Sequence, residues 1–194
     1  MPRIGYKSAM FNQIDNEAKK YKSLTGSAVP KLERVIDEKF APEFNSAEMF
    51  ADDVLAESDY SFKKGVLSIT VADDEDTIEA QFMGHQSENG KIVKSTEDVA
   101  PEFGYGHIVT KLKNSVKSYK VEFFPRVKWI KHTTDAKTKG KDIEFGTTAI
   151  EGNVFALDED MNGLKAGTWE VHETFDTFAE AETMLKTLLT PSTN

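Results

Sequence analysis

The chain of 194 residues contains no cysteine. That excludes disulfides, thiolate zinc sites and a cysteine nucleophile, and it fits folding in a reducing cytoplasm. No apolar run approaches the roughly 20 residues that a membrane-spanning helix needs. The opening MPRIGYKSAMF lacks the apolar stretch of a signal peptide. Basic residues are in the minority, 24 against 33 acids, for a net charge of −9. Clamping DNA by neutralising its phosphates is therefore a poor fit. Also missing are a G-x-S-x-G elbow, a phosphate-binding glycine loop with its Lys-Ser/Thr, and any pair of histidines at helical zinc-site spacing. His85, His107, His132 and His172 read as surface or strand residues.

What is present is material for one folded domain. About 39% of residues are hydrophobic and 10% aromatic, enough for a core. Apolar alternation dominates, so most of the chain is expected to be strand. Arg3–Tyr6 is a possible opening strand, and polar Asn12–Ser27 reads as a loop. Lys31–Phe40 reads as a strand with a helix as competitor, ended by Pro42. Ala51–Tyr60 is acidic and reads as a loop, followed by a strand over Ser61–Ala72. A helix is expected near 75–83, with acids at its start, Ile78, Ala80, Phe82 and Met83 as its apolar face, and Gly84 as its stop.

Glu88–Lys91 is a turn. Strands are expected at Ile92–Lys94 and Tyr105–Leu112, around an interruption at Pro101–Gly106, and over Tyr119–Trp129. Pro125 marks an edge or a bulge there, and the halves on either side of it could face different sheets. Thr133–Lys141 reads as a charged loop. Asp142–Ala156 and Thr168–Thr174 are strands around a turn at Asp158–Gly167. Thr177 and Glu180 form a T-x-x-E capping box before a helix near 178–189. The fold class is thus mainly β with flanking helices (α+β). One domain is expected over residues 1–189, with an extended loop at 41–60 and a loose tail at 190–194.

Two patterns hint at chemistry. Asp158, Asp160 and Asn162 open a D-x-[DN]-x-[DN]-G calcium loop, but its twelfth position is Trp169, where a bidentate carboxylate is needed. A hairpin turn is the plainer reading, and no metal or other cofactor is expected. The second pattern is charge. Ala41–Phe62 carries six acids and no base, while Lys111–Lys141 carries ten bases and two acids. The basic stretch is interleaved with aromatics. Alternation argues for aromatics in the core and lysines outside, over a surface for stacking single-stranded nucleic acid.

ADDVLAESDYSFKKGVLSITVADD with the following DTIEAQFMGH, then AKTKGKDIEFGTTAIEGNVF, then WEVHETFDTFAEAETMLKTLL, together with the opening RIGYKSAMF, resemble in order and spacing the major tail proteins of long-tailed, non-contractile bacteriophages. The resemblance covers nearly the whole chain and departs from the pattern in Asn12–Phe50. It implies a β-sandwich or barrel-like tail-tube domain without catalytic residues, so no enzyme. Copies would join into hexameric rings that stack head to tail in the virion, after assembly in the cytoplasm of the host bacterium. Implied partners are other copies of the chain, a tape-measure protein, and tail terminator and tip proteins. Double-stranded DNA would pass through the lumen without specific binding.

Head-to-tail stacking needs two different complementary surfaces. Glu48, Asp52, Asp53, Glu57 and Asp59 on one side, and Lys128, Lys131 and Lys137 on the other, are the residues proposed to meet. The alternative function is a monomeric β-sandwich module binding carbohydrate or another surface. It would need an exposed aromatic platform at Trp129 or Trp169.

Overall fold

The computed structural model describes residues 3–24, 28–51, 54–72, 76–134 and 146–191. Among these the strands are β1 (Arg3–Asp15), β2 (Lys20–Tyr21), β3 (Lys31–Leu32), β4 (Val35–Ala51), β5 (Val54–Val71), β6 (Gln86–Glu88), β7 (Lys91–Val93), β8 (Glu102–Lys113), β9 (Val116–Thr134), β10 (Thr148–Val154) and β11 (Val171–Phe175). The helices are α1 (Asp76–Met83) and α2 (Phe178–Leu189). The fold is mainly β with flanking helices.

One antiparallel sheet runs β1-β8-β9-β10-β5-β4, and β3 pairs back onto β1. Only Glu33 and Arg34 separate β3 from β4, so the two ends of the sheet are joined and it curls into a barrel. Arg34 takes a left-handed φ of 51° at this corner, and its carbonyl accepts from Ala72 N–H at 3.0 Å. Among the described residues the two sheet ends are paired only at this corner, Ala9 with Leu32 and Met10 with Lys31.

The alternating pattern then serves two cores. Phe11, Leu67, Ile69, Phe103, Tyr105, Val127, Trp129, Ile150 and Val154 point into the barrel, where Ile78 and Phe82 of α1 join them. Met10, Ile108, Val121 and Phe123 point outward and are covered by Ala181, Leu185 and Leu189 of α2. Gly106 lets α2 approach: a Cβ there would lie 2.5 Å from Leu185 Cδ1. The helix starts on the expected capping box, Thr177 with Glu180. Gly84, at φ 75°, ends α1, and a Cβ there would stand 2.2 Å from the Val99 carbonyl oxygen.

β9 shows why its proline is placed where it is. Opposite it on β8, Phe103 pairs with Val127 and Tyr105 with Phe124. Pro125 and Arg126 therefore face the single residue Gly104, which is a β-bulge. The bulge reverses parity, so Val121 and Phe123 face α2 while Val127 and Trp129 face the barrel. It also divides the partners on the other side: β11 pairs with residues 119–123 and β10 with 127–134. β9 is a central strand, and the two halves belong to one sheet.

Several sequence expectations are corrected. Pro42 does not end its strand; β4 continues to Ala51 because it is an edge strand, where a missing N–H leaves no ladder broken. The loop expected at 51–60, within the extended loop at 41–60, is instead the distal part of the β4–β5 hairpin. Glu57 and Asp59 sit on strand backbone paired with Met49 and Ala47 across the hairpin. The loop expected from Asn12 begins later, since β1 runs to Asp15, and Tyr21 is anchored by its hydroxyl donating to Pro125 O at 2.9 Å. β8 is unbroken from Glu102 onward, because its glycines sit under large neighbours and do not mark a turn. The lysines of β9 do not all face outward, since Lys120 and Glu122 share the barrel-facing parity. Residues 135–145 lie outside the described ones, so most of the charged loop and the start of the Asp142–Ala156 strand cannot be placed.

Candidate functional site

Two features stand apart from the packed cores. The first is the hairpin made by β4 and β5. β10 pairs with β5 only over residues 65–71, yet β4 pairs with β5 from Val35 to Ala51. Among the described residues no third strand joins positions 54–64. This leaves a two-stranded arm about 36 Å long at ~3.3 Å per residue. Its base is clamped by aromatics: Phe62 stacks on Trp169 at 4.3 Å, with Phe40 and Phe44 against the same indole. Farther along, Phe44 is 52% and Tyr60 is 63% exposed. Glu43 has Lys64 across from it at 3.9 Å.

Of the acids proposed as contacts, Glu48, Glu57 and Asp59 lie on this arm. Glu48 pairs in register with Ser58, Met49 with Glu57 and Ala47 with Asp59. Asp52 and Asp53 lie outside the described residues, as does Lys137 on the basic side. Lys128 and Lys131 are on the outer face of β9, opposite Asn153 and Glu151 of β10. The basic stretch does not make one surface. Lys120 points into the barrel, Arg126 pairs with Glu102 at 3.0 Å and with Asp158, and Lys113 and Lys117 lie beside the far β8–β9 turn.

The calcium-type residues do not converge. Asp158 binds Arg126, Asp160 accepts from Lys165 Nζ at 2.6 Å and Ala166 N–H at 2.9 Å, and Asn162 donates to Leu188 O and Thr190 O. Asn162 and Gly163, with φ of 50° and 81°, make a tight hairpin turn. Among the described residues no group of three or more His, Asp or Glu is arranged to hold a metal ion. Trp129 is fully buried and Trp169 is covered by Phe62, so Trp129 offers no platform and Trp169 only part of one.

The second feature is a buried charge cluster at one end of the barrel, which the sequence reading missed. His107 of β8 has Glu122 Oε2 at 3.0 Å from Nε2. Glu38 Oε1 lies 2.8 Å from Nδ1, without the alignment of a hydrogen bond. Tyr6 and Tyr105 both donate to Glu38 Oε2, at 2.7 and 2.6 Å. Arg3 reaches Glu122 Oε1 at 2.7 Å, and Lys120 binds the same oxygen. Burial pushes the His107 imidazole down, but the charge of Glu38 close beside it and the hydrogen bond to Glu122 outweigh it and lift it to about 9. Burial raises the Glu122 carboxyl, but hydrogen bonds from His107 and Lys120 bring it down to about 2.

These opposed shifts fix a stability profile. The His107 contribution is complete below its ordinary value of 6.5 and is lost as pH rises through about 9. The Glu122 contribution is complete above its ordinary value of 4.5 and is lost as pH falls through about 2. Urea unfolding midpoints should therefore be highest between 4.5 and 6.5 and fall on both sides. In Glu122→Gln the acid limb should shrink. A flat profile in the native protein would show that the cluster is not ionised as described.

In sequence terms the cluster carried one faint sign. His107 and Glu122 sit in otherwise apolar strands at positions whose parity points inward. Compared with protein-family models and with curated proteins, the chain matches none.

Proposed function

We propose that this protein is a structural subunit that polymerises, a tail-tube protein of the siphophage type, as the resemblance of its sequence implies. The observation that supports it most is the arm. A two-stranded hairpin is marginal in water by itself. Among the described residues no further strand pairs with either edge of this one, which has exposed Phe44 and Tyr60 and, in sequence, a net negative charge. Such a surface is expected to be completed by another copy. The contact between arm and neighbour is heterologous, and contacts of that kind make rings or filaments.

On this reading the function is mechanical. Stacked hexameric rings enclose a tape-measure protein and later conduct DNA into the host. Terminator and tip proteins close the two ends. A chain with an excess of nine negative charges lubricates the passage of phosphates better than a basic one. The protein is not expected to be an enzyme, and its place is the virion.

Electron microscopy of concentrated protein tests this directly. Rings or tubes of uniform diameter are expected. Reversing Asp52, Asp53 and Asp59 to Lys should reduce their yield by about tenfold or more, because like charges at a contact oppose association. Native protein that stays monomeric at every concentration, with and without a tape-measure partner, would remove this reading in favour of a monomeric binding module. Unimpaired tubes from the triple variant would place the contact elsewhere on the surface.

A further inference from the structure

Little backbone holds the barrel shut at its seam. β1 and β3 share two residue pairs, Ala9 with Leu32 and Met10 with Lys31. Phe11 N–H adds one bond to Pro30 O at 3.1 Å. Past the corner at Arg34 the chain turns onto β5, and among the described residues no ladder pairs residues 3–8 of β1 with residues 35–40 of β4. Side chains span that stretch instead. Tyr6 of β1 and Tyr105 of β8 hold Glu38 of β4, and the His107 ring sits between Glu38 and Glu122.

We propose that the seam is a charge-latched gate: the positive His107 ring keeps Glu38 inside the barrel, and loss of that charge releases residues 31–40 from β1 while the other strands stay paired. The asymmetry between the two carboxylates carries this. Without the imidazolium, Glu122 still has Arg3 and Lys120, and it sits on the central strand β9. Glu38 keeps only two tyrosine hydroxyls, which donate but bring no positive charge. A buried carboxylate without a cation is strongly unfavourable. Glu38 also sits on the edge strand, so it reaches water by parting a few seam contacts, whereas moving Glu122 would break the sheet.

The charged and titratable groups facing the ring are Arg3 and Tyr6 from β1, Glu38 from β4, Tyr105 and Lys111 from β8, and Lys120 and Glu122 from β9. Burial and the charge of Glu38 hold both tyrosines well above their ordinary range, so they remain neutral donors while His107 titrates. Burial and the neighbouring Lys120 lower Lys111. The latch holds at neutral pH and releases as pH passes about 9. The gate goes beyond the tube reading and does not depend on it. If the reading also holds, opening would free an additional strand edge for a neighbour.

Amide hydrogen exchange on the full chain tests the gate. Phe11 N–H reports the seam; Phe155 N–H, bonded to Arg126 O at 2.9 Å, reports the opposite wall. In His107→Gln at neutral pH, protection of Phe11 N–H should fall by at least about tenfold while that of Phe155 N–H is unchanged. Should this variant not fold, the native protein taken from about pH 7 to about pH 10 gives the same comparison, with intrinsic exchange rates divided out. In a Glu38→Gln background, His107→Gln should lower protection of Phe11 N–H much less, because no unpaired carboxylate remains buried. Equal losses at both amides would mean that the whole fold loosens, and no loss at Phe11 would mean that the charge does not hold the seam. Either result overturns the gate.

Discussion

Replacing Trp129 with Ala is expected to lower the unfolding free energy by about 3–5 kcal/mol. Trp129 lies at the centre of the barrel and is fully buried. Its indole stacks on Phe82 of α1 at 4.6 Å and 13°, and meets Tyr105 edge-on at 5.6 Å. Its other side rests on β10 at Gly152, where a Cβ would lie 2.7 Å from the ring. The indole N–H has no acceptor among the described residues, so truncation removes packing and leaves no hydrogen-bond partner behind. Domains are stable by only about 5–15 kcal/mol, so this single loss is a large share. Urea titration should show a lower midpoint with an unchanged slope. Trp129→Phe, which keeps a ring against Phe82, should lose distinctly less. A loss under about 1 kcal/mol for the Ala variant would mean that α1 does not plug the barrel through this side chain.

The second large effect is expected at Glu122. Its carboxylate lies among Arg3, His107 and Lys120, inside a barrel wall that admits little water. Glu122→Ala leaves the mostly buried Lys120 without its carboxylate and His107 with Glu38 alone, and breaking a buried pair in this way typically costs about 3–5 kcal/mol. Glu122→Gln retains an acceptor and should cost less, with the difference between the two variants largest in the acid range, where the native carboxylate loses its charge. Thermal and urea unfolding at several pH values read both. If Glu122→Ala behaved like a surface change, within about 0.5 kcal/mol, the cluster would contribute nothing to the fold.

Local signals were read well where a short segment decides its own structure. The capping box at Thr177 and Glu180 starts α2 as expected, because both partners lie within one turn. The acids, Ile78, Phe82 and Gly84 delimit α1 for the same reason. Asn89 and Gly90, with φ of 51° and 78°, make the turn expected there. Pro125 signalled a bulge, and a bulge is found, though on a central strand. Pro42 misled, because whether a proline ends a strand depends on which side of that strand has a partner. The acidic segment before Tyr60 misled as well. Polarity there does not mark a loop, because backbone pairing across the hairpin needs no apolar side chain.

The charge cluster was the least legible part. Tyr105 and Glu38 are 67 positions apart, and Arg3 and Glu122 are 119 apart. No spacing rule connects them, because strand pairing in a barrel is nonlocal. The contrast of an acidic and a basic segment was real as composition, but the tertiary structure distributed the bases. Some entered the barrel, some paired locally and some remained on the outer face.

By itself the sequence determined that this chain is mostly strand, that two helices flank it, and that its surface is acidic. These follow from short-range periodicity, caps and residue counts, which no distant contact alters. Only the folded chain decided that Leu32 would lie beside Ala9 while Val35 lies beside Val71. That one corner joins the sheet's ends, buries His107 between two carboxylates and, among the described residues, leaves the distal hairpin with no third strand. Its physical reason is collective: the barrel closes because apolar faces scattered over most of the chain must be covered together.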